Sequence, residues 1–411
     1  MRILYIATRI CWPVRSGAHL RDFHIALHLA RNAKLTYIGM DSGENGTQAH
    51  EVCEDPIEPF GDTEVIRVRR SSGYSVSKIV RGLVGPMPLV VLNYTSPLVA
   101  CEIERVLRRD SFDVVQIEGV FLSAYAQRIR ELVPHILLNS DMHNVESEVL
   151  SRYAKNEPNP ARRLYAHRTA TLLRQQEDLL LKTCDSHTVC SEIERQFLLS
   201  RDLNPRVEVI PNGVDVNSFA QLPGEGTTRR SLIFVGAMDY HANVDGVLFF
   251  AKEAWPFIYQ RRPDLQFVVV GSKPVPEVLK LQEQPGITVT GTVDDVRPYY
   301  YRALAAMVPL RIGGGTRLKI LEAMAAGTPV ISTTIGAEGI PVTHGQDILI
   351  ADSAQEMIEA AVSLQQDSEL WNGLITAGRK LAATYDWAAI GDKLLRFYDA
   401  QLARPLLNAA R

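Results

Sequence analysis

The chain has no long apolar run, few cysteines and no excess of charge of either sign, and each absence removes a class of function. No stretch approaches the roughly 18 consecutive apolar residues that a membrane-spanning helix needs, so any membrane role expected from the sequence is peripheral. Lysine and arginine number 44 against 47 aspartates and glutamates, a formal net charge of -3. General nucleic-acid binding wants a basic footprint and is not expected. The five cysteines, Cys11, Cys53, Cys101, Cys184 and Cys190, are scattered, odd in number and without metal-ligand spacing. That argues against a disulfide framework or a zinc site and fits a reducing, cytoplasmic setting. No D-x-D carboxylate pair suited to a divalent metal occurs, no GKS or GKT closes a P-loop, and no low-complexity tract or short-period repeat interrupts the sequence. No resident metal or organic cofactor is expected. The opening MRILYIATRICW has only a short apolar run before Arg9 and reads as a first buried strand, not a signal peptide.

What is present is the composition of an ordinary globular chain, 46% hydrophobic and 22% charged over 411 residues, too long for one typical core and comfortable as two domains. Short apolar runs alternate with helical patterns throughout, the signature of βαβ units around parallel sheets, so the expected class is α/β. Expected strands in the first half are 3–7, 35–38, 65–68, 114–117, 136–139 and 187–190. Those in the second half are 207–210, 231–235, 266–270, 287–290, 305–308, 330–332 and 348–350. The join is placed within 206–226, where PNGVD and a loop containing QLPGEG separate strands. This predicts one Rossmann-like domain over 1–206 and a second over 207–386, with an amphipathic helix in 387–411 returning to the first.

The most informative stretch is GGGTRLKILEAMAAGTPV at 313–330. Gly313, Gly314 and Gly315 let backbone N–H groups approach an anion, a helix starting at Thr316 would aim its positive end at the same place, and Arg317 and Lys319 add charge there. Glu322, set among Leu321, Ala323, Met324 and Ala325, is an acceptor that needs a partner. The plain alternatives are a tight turn for the glycines and an exposed pairing of Glu322 with Lys319 one helical turn earlier. Three successive glycines and the apolar flanks of Glu322 favour ligand binding over both.

Ligands of open α/β sheets collect beyond the carboxyl ends of the strands, so residues just after each strand are the next candidates. These are Arg9, Arg15, Ser16, Gly17 and His19 after the first strand, Glu118 after the fourth, and Asp141, His143, Asn144 and Glu146 after the fifth. The second half supplies Gly236, Asp239 and Asn243, then Gly271, Ser272 and Lys273. A deep pocket between two such rims is expected. Asp141 and Glu146 also read as acids in a helix first turn, His143 as a structural histidine, and Glu118 and Asp239 as either site or strand-end residues. The Arg162, Arg163, Arg168 and Arg174 series reads first as a solvated helix face and second as a contact for a membrane surface or polyanionic acceptor. A nicotinamide dehydrogenase is disfavoured because the turn after the first strand, TRICWPVRSGA, has one glycine where GxGxxG is required.

Three segments carry a family resemblance over essentially the whole chain: VIPNGVD at 209–215, FVGAMDYHANVDGVLFF at 234–250 and GGGTRLKILEAMAAGTPVISTTIGAEGI at 313–340. The chain resembles retaining GT-B glycosyltransferases of family 4, and with DMHNVE at 141–146 it is most similar to bacterial sugar transferases associated with exopolysaccharide assembly. The resemblance implies two doubly wound Rossmann-like domains facing a central cleft. Glu322 matches the second acid of the family's E-x7-E motif and would hydrogen-bond the ribose of a nucleotide-sugar. The first acid should fall at position 314, where this chain has Gly314. The family's Arg and Lys pair is likewise missing from GAMDYHAN, and Arg317 and Lys319, with Arg311, are the substitutes inferred from charge and placement. His143 matches the first-domain histidine that would touch the donor sugar.

The resulting expectation is retaining, metal-independent transfer of a sugar from a nucleotide-sugar to a hydroxyl acceptor, such as a lipid-linked or growing glycan at the inner face of a membrane. His143, Arg317 and Lys319 carry the chemistry. Gly313, Gly314, Gly315, Thr316, Glu322, Gly236 and Asp239 bind the donor, and Gly17, Glu118, Asp141 and Asn144 line the acceptor side. A nucleotide-sugar epimerase of the same architecture and a non-catalytic partner subunit are the competing readings, the latter kept open by Gly314.

Overall fold

The computed structural model describes residues 1–12, 17–41, 60–69, 75–201, 203–219, 229–312 and 317–404. The chain forms two compact units, Met1–Pro211 with Ile390–Arg411 and Asn212–Ala389.

The first unit is built on seven parallel strands: β1 (Arg2–Ala7), β2 (Lys34–Asp41), β3 (Glu64–Arg69), β4 (Val114–Glu118), β5 (Leu137–Met142), β6 (Ser186–Val189) and β7 (Val207–Val209), in the spatial order β3-β2-β1-β4-β5-β6-β7. Strands covered on both faces read as near-continuous apolar runs. Ile3 to Ala7 in β1 and all of β4 are buried accordingly. Strand order reverses between β1 and β4, which pair through Ile3↔Val114 to Ile6↔Ile117, so their carboxyl ends emerge side by side.

β7 corrects the expected boundary. The 207–210 run was expected to open the second domain, yet His187↔Val207 to Val189↔Val209 place it at the edge of the first sheet, and the division falls after Pro211. The helix Trp387–Leu402 does turn back onto this unit from Ile390 onward. Lys393 Nζ donates to the Val209 carbonyl at 2.7 Å and lies 2.8 Å from Glu208, His28 Nε2 is 3.0 Å from Asp392, and the buried Tyr398 hydroxyl is bonded to Gln116. Gly391 permits this approach, because a Cβ there would run into the His28 ring.

The second unit carries six parallel strands: β8 (Ser231–Val235), β9 (Gln266–Val270), β10 (Ile287–Gly291), β11 (Ala303–Val308), β12 (Val330–Ser332) and β13 (Leu349–Ile350), ordered β10-β9-β8-β11-β12-β13. Its reversal lies between β8 and β11, paired through Ala306↔Ile233. Two helices are drawn in close to that crevice. His241–Glu253 packs so tightly that a Cβ on Gly246 would sit 2.9 Å from the Pro309 carbonyl. Leu318–Ala326 buries Ile320, Leu321, Ala323, Met324, Ala325 and Ala326 and stops at Gly327, whose φ of 73° is the left-handed conformation that favours glycine at a helix end. Thr328 and Pro329 then lead into β12, so the small-residue run is a core helix with one polar edge.

Candidate functional site

At the switch point of the first unit, the chain leaving β1 is tied to the end of β4. Thr8 N donates to Glu118 Oε2 at 2.7 Å and Thr8 Oγ1 lies 2.9 Å from both carboxylate oxygens, while the Arg9 guanidinium stands 3.6 Å from Oε1. β5 contributes Asp141, whose two oxygens accept from Arg21 at 2.8 and 3.2 Å and whose Oδ1 also accepts from Thr188 at 2.7 Å. Arg21 and its neighbour Asp22 come from the helix Gly17–Asn32 and are wholly buried. Arg21 also donates to the Ile210 and Pro211 carbonyls, which anchors the end of the PNGVD approach.

His143 follows β5 directly and sits among three carboxylates: Nε2 is 3.3 Å from Asp22 Oδ1 and 3.5 Å from Asp141 Oδ2, and Nδ1 is 3.9 Å from Glu118 Oε1. Burial alone would favour the neutral ring, but Asp22 and Asp141 outweigh it and raise His143 to about 10. Glu118 is pushed up by burial and by Asp22, against the pull of His143 and Arg9. Asp141 resists its own burial and is held well below the usual carboxylate range by Arg21 and His143. Asp22, Glu118 and His143 each offer an atom within 4.8 Å of the others, the spacing of a possible metal cluster. The same three carboxylates, Asp22, Glu118 and Asp141, face Arg9, Arg21 and His143. His187, one strand over, shows the contrast: its Nδ1 lies 2.8 Å from Ser140 Oγ, and burial lowers it to about 3.

The second unit gathers its polar groups at the ends of β8 and the helix Leu318–Ala326. Lys319 reaches from the first turn of that helix to Asn243 Oδ1 at 2.9 Å, with Nζ 3.9 Å from the centre of the Phe234 ring. Asn243 is fixed in turn by donating to the Ala237 carbonyl at 2.9 Å. Both groups press on Gly236, where a Cβ would lie 2.8 Å from Asn243 Nδ2 and 2.9 Å from Lys319 Nζ. Burial, and then the charge of Arg317, lower Lys319 to about 7, with Glu322 opposing. Arg317 itself is buried and lowered by that burial, with Tyr240 and Glu338 pulling the other way. Glu322 is half-buried, accepts from the Tyr300 hydroxyl at 3.0 Å, and is raised by burial against the effects of Tyr300 and Lys319. Lys319 and Asn243 thus meet at Gly236, with Arg317 and Glu322 acting on the Lys319 charge from the same helix end, an arrangement suited to an anion.

The structure redistributes several of the expected roles. Gly313, Gly314, Gly315 and Thr316 lie outside the described residues, as do Arg15 and Ser16. The helix begins at Leu318 with Arg317 at its N-cap, not at Thr316. Arg311 pairs with Asp245 at 2.5 and 3.0 Å and stacks over Phe249. Asp239 makes only an exposed pair with Lys273 at 3.4 Å. Asp141 is an interior strand residue and not a helix first-turn acid, Asn144 donates to Glu146 at 3.2 Å, and Gly17 is the first residue of its helix. Glu322 is held by Tyr300, and its neighbour Lys319 turns instead to Asn243. Arg21, Asp22, Thr8 and Tyr300 were not singled out from the sequence. The one available signal was an adjacent charge pair, Arg21-Asp22, inside a helix run, 18–30, whose other residues are apolar or histidine.

Comparison with known proteins matches both halves. Residues 47–218 match the model described as Glycosyltransferase Family 4, and residues 229–367 match Glycosyl transferases group 1. The phosphatidyl-myo-inositol mannosyltransferase of Mycolicibacterium smegmatis is 28% identical over 221 residues, 51% of this chain and 55% of that protein. The lipopolysaccharide core biosynthesis mannosyltransferase LpsB of Rhizobium meliloti is 28% identical over 209 residues, 44% of this chain and 58% of that protein. The chain therefore spans little more than half the length of these curated relatives. Among solved structures, sucrose-phosphate synthase from Thermosynechococcus elongatus superposes with a TM-score of 0.69 at 17% identity, covering 98% of this chain and 100% of the other. Anabaena HepE in complex with UDP and glucose superposes at 0.65 and 13%, covering 97% and 100%. The two Rossmann-like units and these matches together place the chain in glycosyltransferase family 4, with the GT-B fold.

Proposed function

We propose that the chain transfers a sugar from a nucleotide-sugar to a hydroxyl acceptor with retention of configuration, and that the acceptor is a lipid-linked or growing glycan at the cytoplasmic face of a membrane. The observation that carries the donor half of this reading is the meeting of Lys319 and Asn243 at Gly236, with Arg317 acting on Lys319 and Glu322 one helical turn beyond it. A diphosphate placed there meets the half-buried Lys319 and the buried Arg317, and preorganised charge shielded from water stabilises a leaving group far better than water does. Glu322 is placed to accept from ribose hydroxyls, its position held by Tyr300. The acceptor half draws on the relatives whose names specify phosphatidyl-myo-inositol and lipopolysaccharide core as the molecules they work on.

In this reading His143 is an imidazolium and acts by donating a hydrogen bond, since a ring already protonated at neutral pH cannot also accept the acceptor's proton. That proton goes to the departing phosphate on the same face of the sugar, which is the retaining outcome. No D-x-D pair is present in the sequence, and the proposed reaction uses no resident metal. The test is calorimetric titration of the full chain with UDP, GDP and ADP, followed by a donor screen that measures sugar appearing on a glycolipid acceptor. One nucleotide binding in the micromolar range, with transfer from its sugar conjugate, is expected. Binding and transfer undisturbed by Lys319→Met or Glu322→Ala would remove the site assignment, and release of an altered nucleotide-sugar without any acceptor would make the enzyme an epimerase.

A further inference from the structure

The helix Val76–Val84 in the first unit turns its apolar side outward. Val76 and Val84 are 77% and 78% exposed, Val80 and Leu83 about half so at 52% and 48%, and the one buried residue of the helix is Gly82. Positions 76, 80, 83 and 84 fall on one face at helical spacing, whereas a surface helix of a globular unit ordinarily buries such a face. The orientation is fixed by its neighbours. A Cβ on Gly82 would lie 2.6 Å from Leu89 Cβ, so the opposite side is pressed onto the helix Leu89–Tyr94. Arg168, from the helix Pro160–Thr183, donates to the Gly82 and Gly85 carbonyls at 2.9 and 2.7 Å and clamps the other end. Arg168 is thus a structural cation and not part of a solvated face. Leu164 and Tyr165, one turn before it and on the same side of that helix, are also exposed.

The surroundings are basic. No aspartate or glutamate occurs in 75–101 or in 158–176, while these segments carry Lys78, Arg81, Arg162 and Arg163. Glu157, just ahead of the second segment, acts on Arg162, so the charge beside the stripe rests on Lys78, Arg81 and Arg163; an apolar stripe flanked by such cations matches the interface of an anionic bilayer, where aliphatic side chains enter the acyl boundary and cations meet the headgroups. A second copy fits poorly, because six apolar side chains fall well short of the roughly 20–30 residues per side of a stable interface and a two-fold contact would set like charges together. We propose that the outward face of Val76–Val84, together with Leu164 and Tyr165, docks the chain on an anionic phospholipid surface. The proposal deepens the lipid-linked acceptor reading and rests on it for its purpose, but vesicle binding needs neither donor nor acceptor, so the two can fail separately.

The experiment is sedimentation of the full chain with vesicles of phosphatidylcholine containing phosphatidylglycerol, and with phosphatidylcholine alone. The expected result is binding to the anionic vesicles that falls about 25-fold in Lys78→Gln/Arg81→Gln, about fivefold for each cation removed, and is lost in Val80→Asp/Val84→Asp and in Leu164→Asp, a change on a separate helix. Thermal midpoints equal to the parent show that the variants fold. Absence of binding by the parent overturns the proposal, as does binding left intact by the aspartate variants. A parent dimer that these variants convert to a monomer, with no vesicle binding, assigns the face to a second copy instead.

Discussion

The Lys319 ammonium hydrogen-bonds Asn243 Oδ1 at 2.9 Å although 76 residues separate them, and the bond parks the cation beside Gly236 at the carboxyl end of β8. The position is poised, because burial and Arg317 hold Lys319 at about 7. A diphosphate supplies the negative charge that Glu322 alone does not, so its binding should draw a proton onto Lys319. Nucleotide affinity is then expected to weaken above pH 7, approaching about tenfold per pH unit. Calorimetry in buffers of different ionisation enthalpy should show proton uptake near pH 7.5, and Lys319→Met should abolish it. The same lowered value has a stability consequence of opposite sense. Between about pH 7 and 10.5 the unfolded chain keeps a proton that the folded one has released, so this group's contribution favours the folded state increasingly as pH rises across that window.

Gly236→Ala tests the cradle without replacing a charged group. Its new Cβ would fall 2.8 Å from Asn243 Nδ2 and 2.9 Å from Lys319 Nζ, both ends of side chains that can give way. The expected outcome is a small stability change, under about 1.5 kcal/mol, with nucleotide affinity reduced at least as far as in Lys319→Met. Gly271→Ala is the contrasting case. Its φ of 152° and the clash of a Cβ with the Gly236 carbonyl strain the backbone where β8 and β9 end, so denaturant melts should show several kcal/mol lost.

Glu322 and Tyr300 can be separated by the choice of substitution. Glu322→Ala takes away the nearer acceptor of the buried Tyr300 hydroxyl, at 3.0 Å, leaving the Lys319 carbonyl at 3.4 Å, and should cost about 1 kcal/mol of stability as well as nucleotide affinity. Glu322→Gln keeps an acceptor oxygen for Tyr300 and removes the charge, so stability should stay near the parent while nucleotide binding weakens by about tenfold. Equal nucleotide affinity in both variants and the parent would return Glu322 to a purely structural role.

Much of this was legible beforehand, and the parts that were not share one physical character. Apolar runs bounded by turns exposed nearly every strand, because a strand buried on both faces must be apolar throughout. Val207–Val209 went to the wrong sheet because its ladder partner, β6, is set by pairing in space and not by the PNGVD that follows it in sequence. Charge pairing hid in the same way. Arg311 showed no partner locally because Asp245 stands 66 residues earlier, and Arg21 was passed over because Asp141 stands 120 residues later. Lys319 and Glu322 were recognisable from local spacing, but the residues that orient them, Asn243 and Tyr300, belong to other elements. The outward face of Val76–Val84 was equally hidden, since apolar spacing states that a helix has a face and not which way it points.

The last prediction concerns the carboxylate cage of the first unit. His143, raised to about 10 by Asp22 and Asp141 against burial, is charged in the folded chain over a range where the unfolded histidine is neutral. Its stabilising contribution is therefore fully present below about pH 6.5 and is lost as pH rises through about 10. NMR titration of the His143 ring should show a midpoint far above that of an exposed histidine, and Asp22→Asn should lower it by removing the closest carboxylate, 3.3 Å away. His187 supplies an internal control, because burial without a carboxylate holds it at about 3 and it should remain neutral throughout. If His143 titrates near 6.5 in the parent, it is a neutral base between pH 7 and 9, and its proposed part in transfer changes from hydrogen-bond donor to proton acceptor. Combining Asp22→Asn with Glu118→Gln should move the midpoint further down than either change alone, since the two carboxylates approach opposite nitrogens of the ring and act on the same charge.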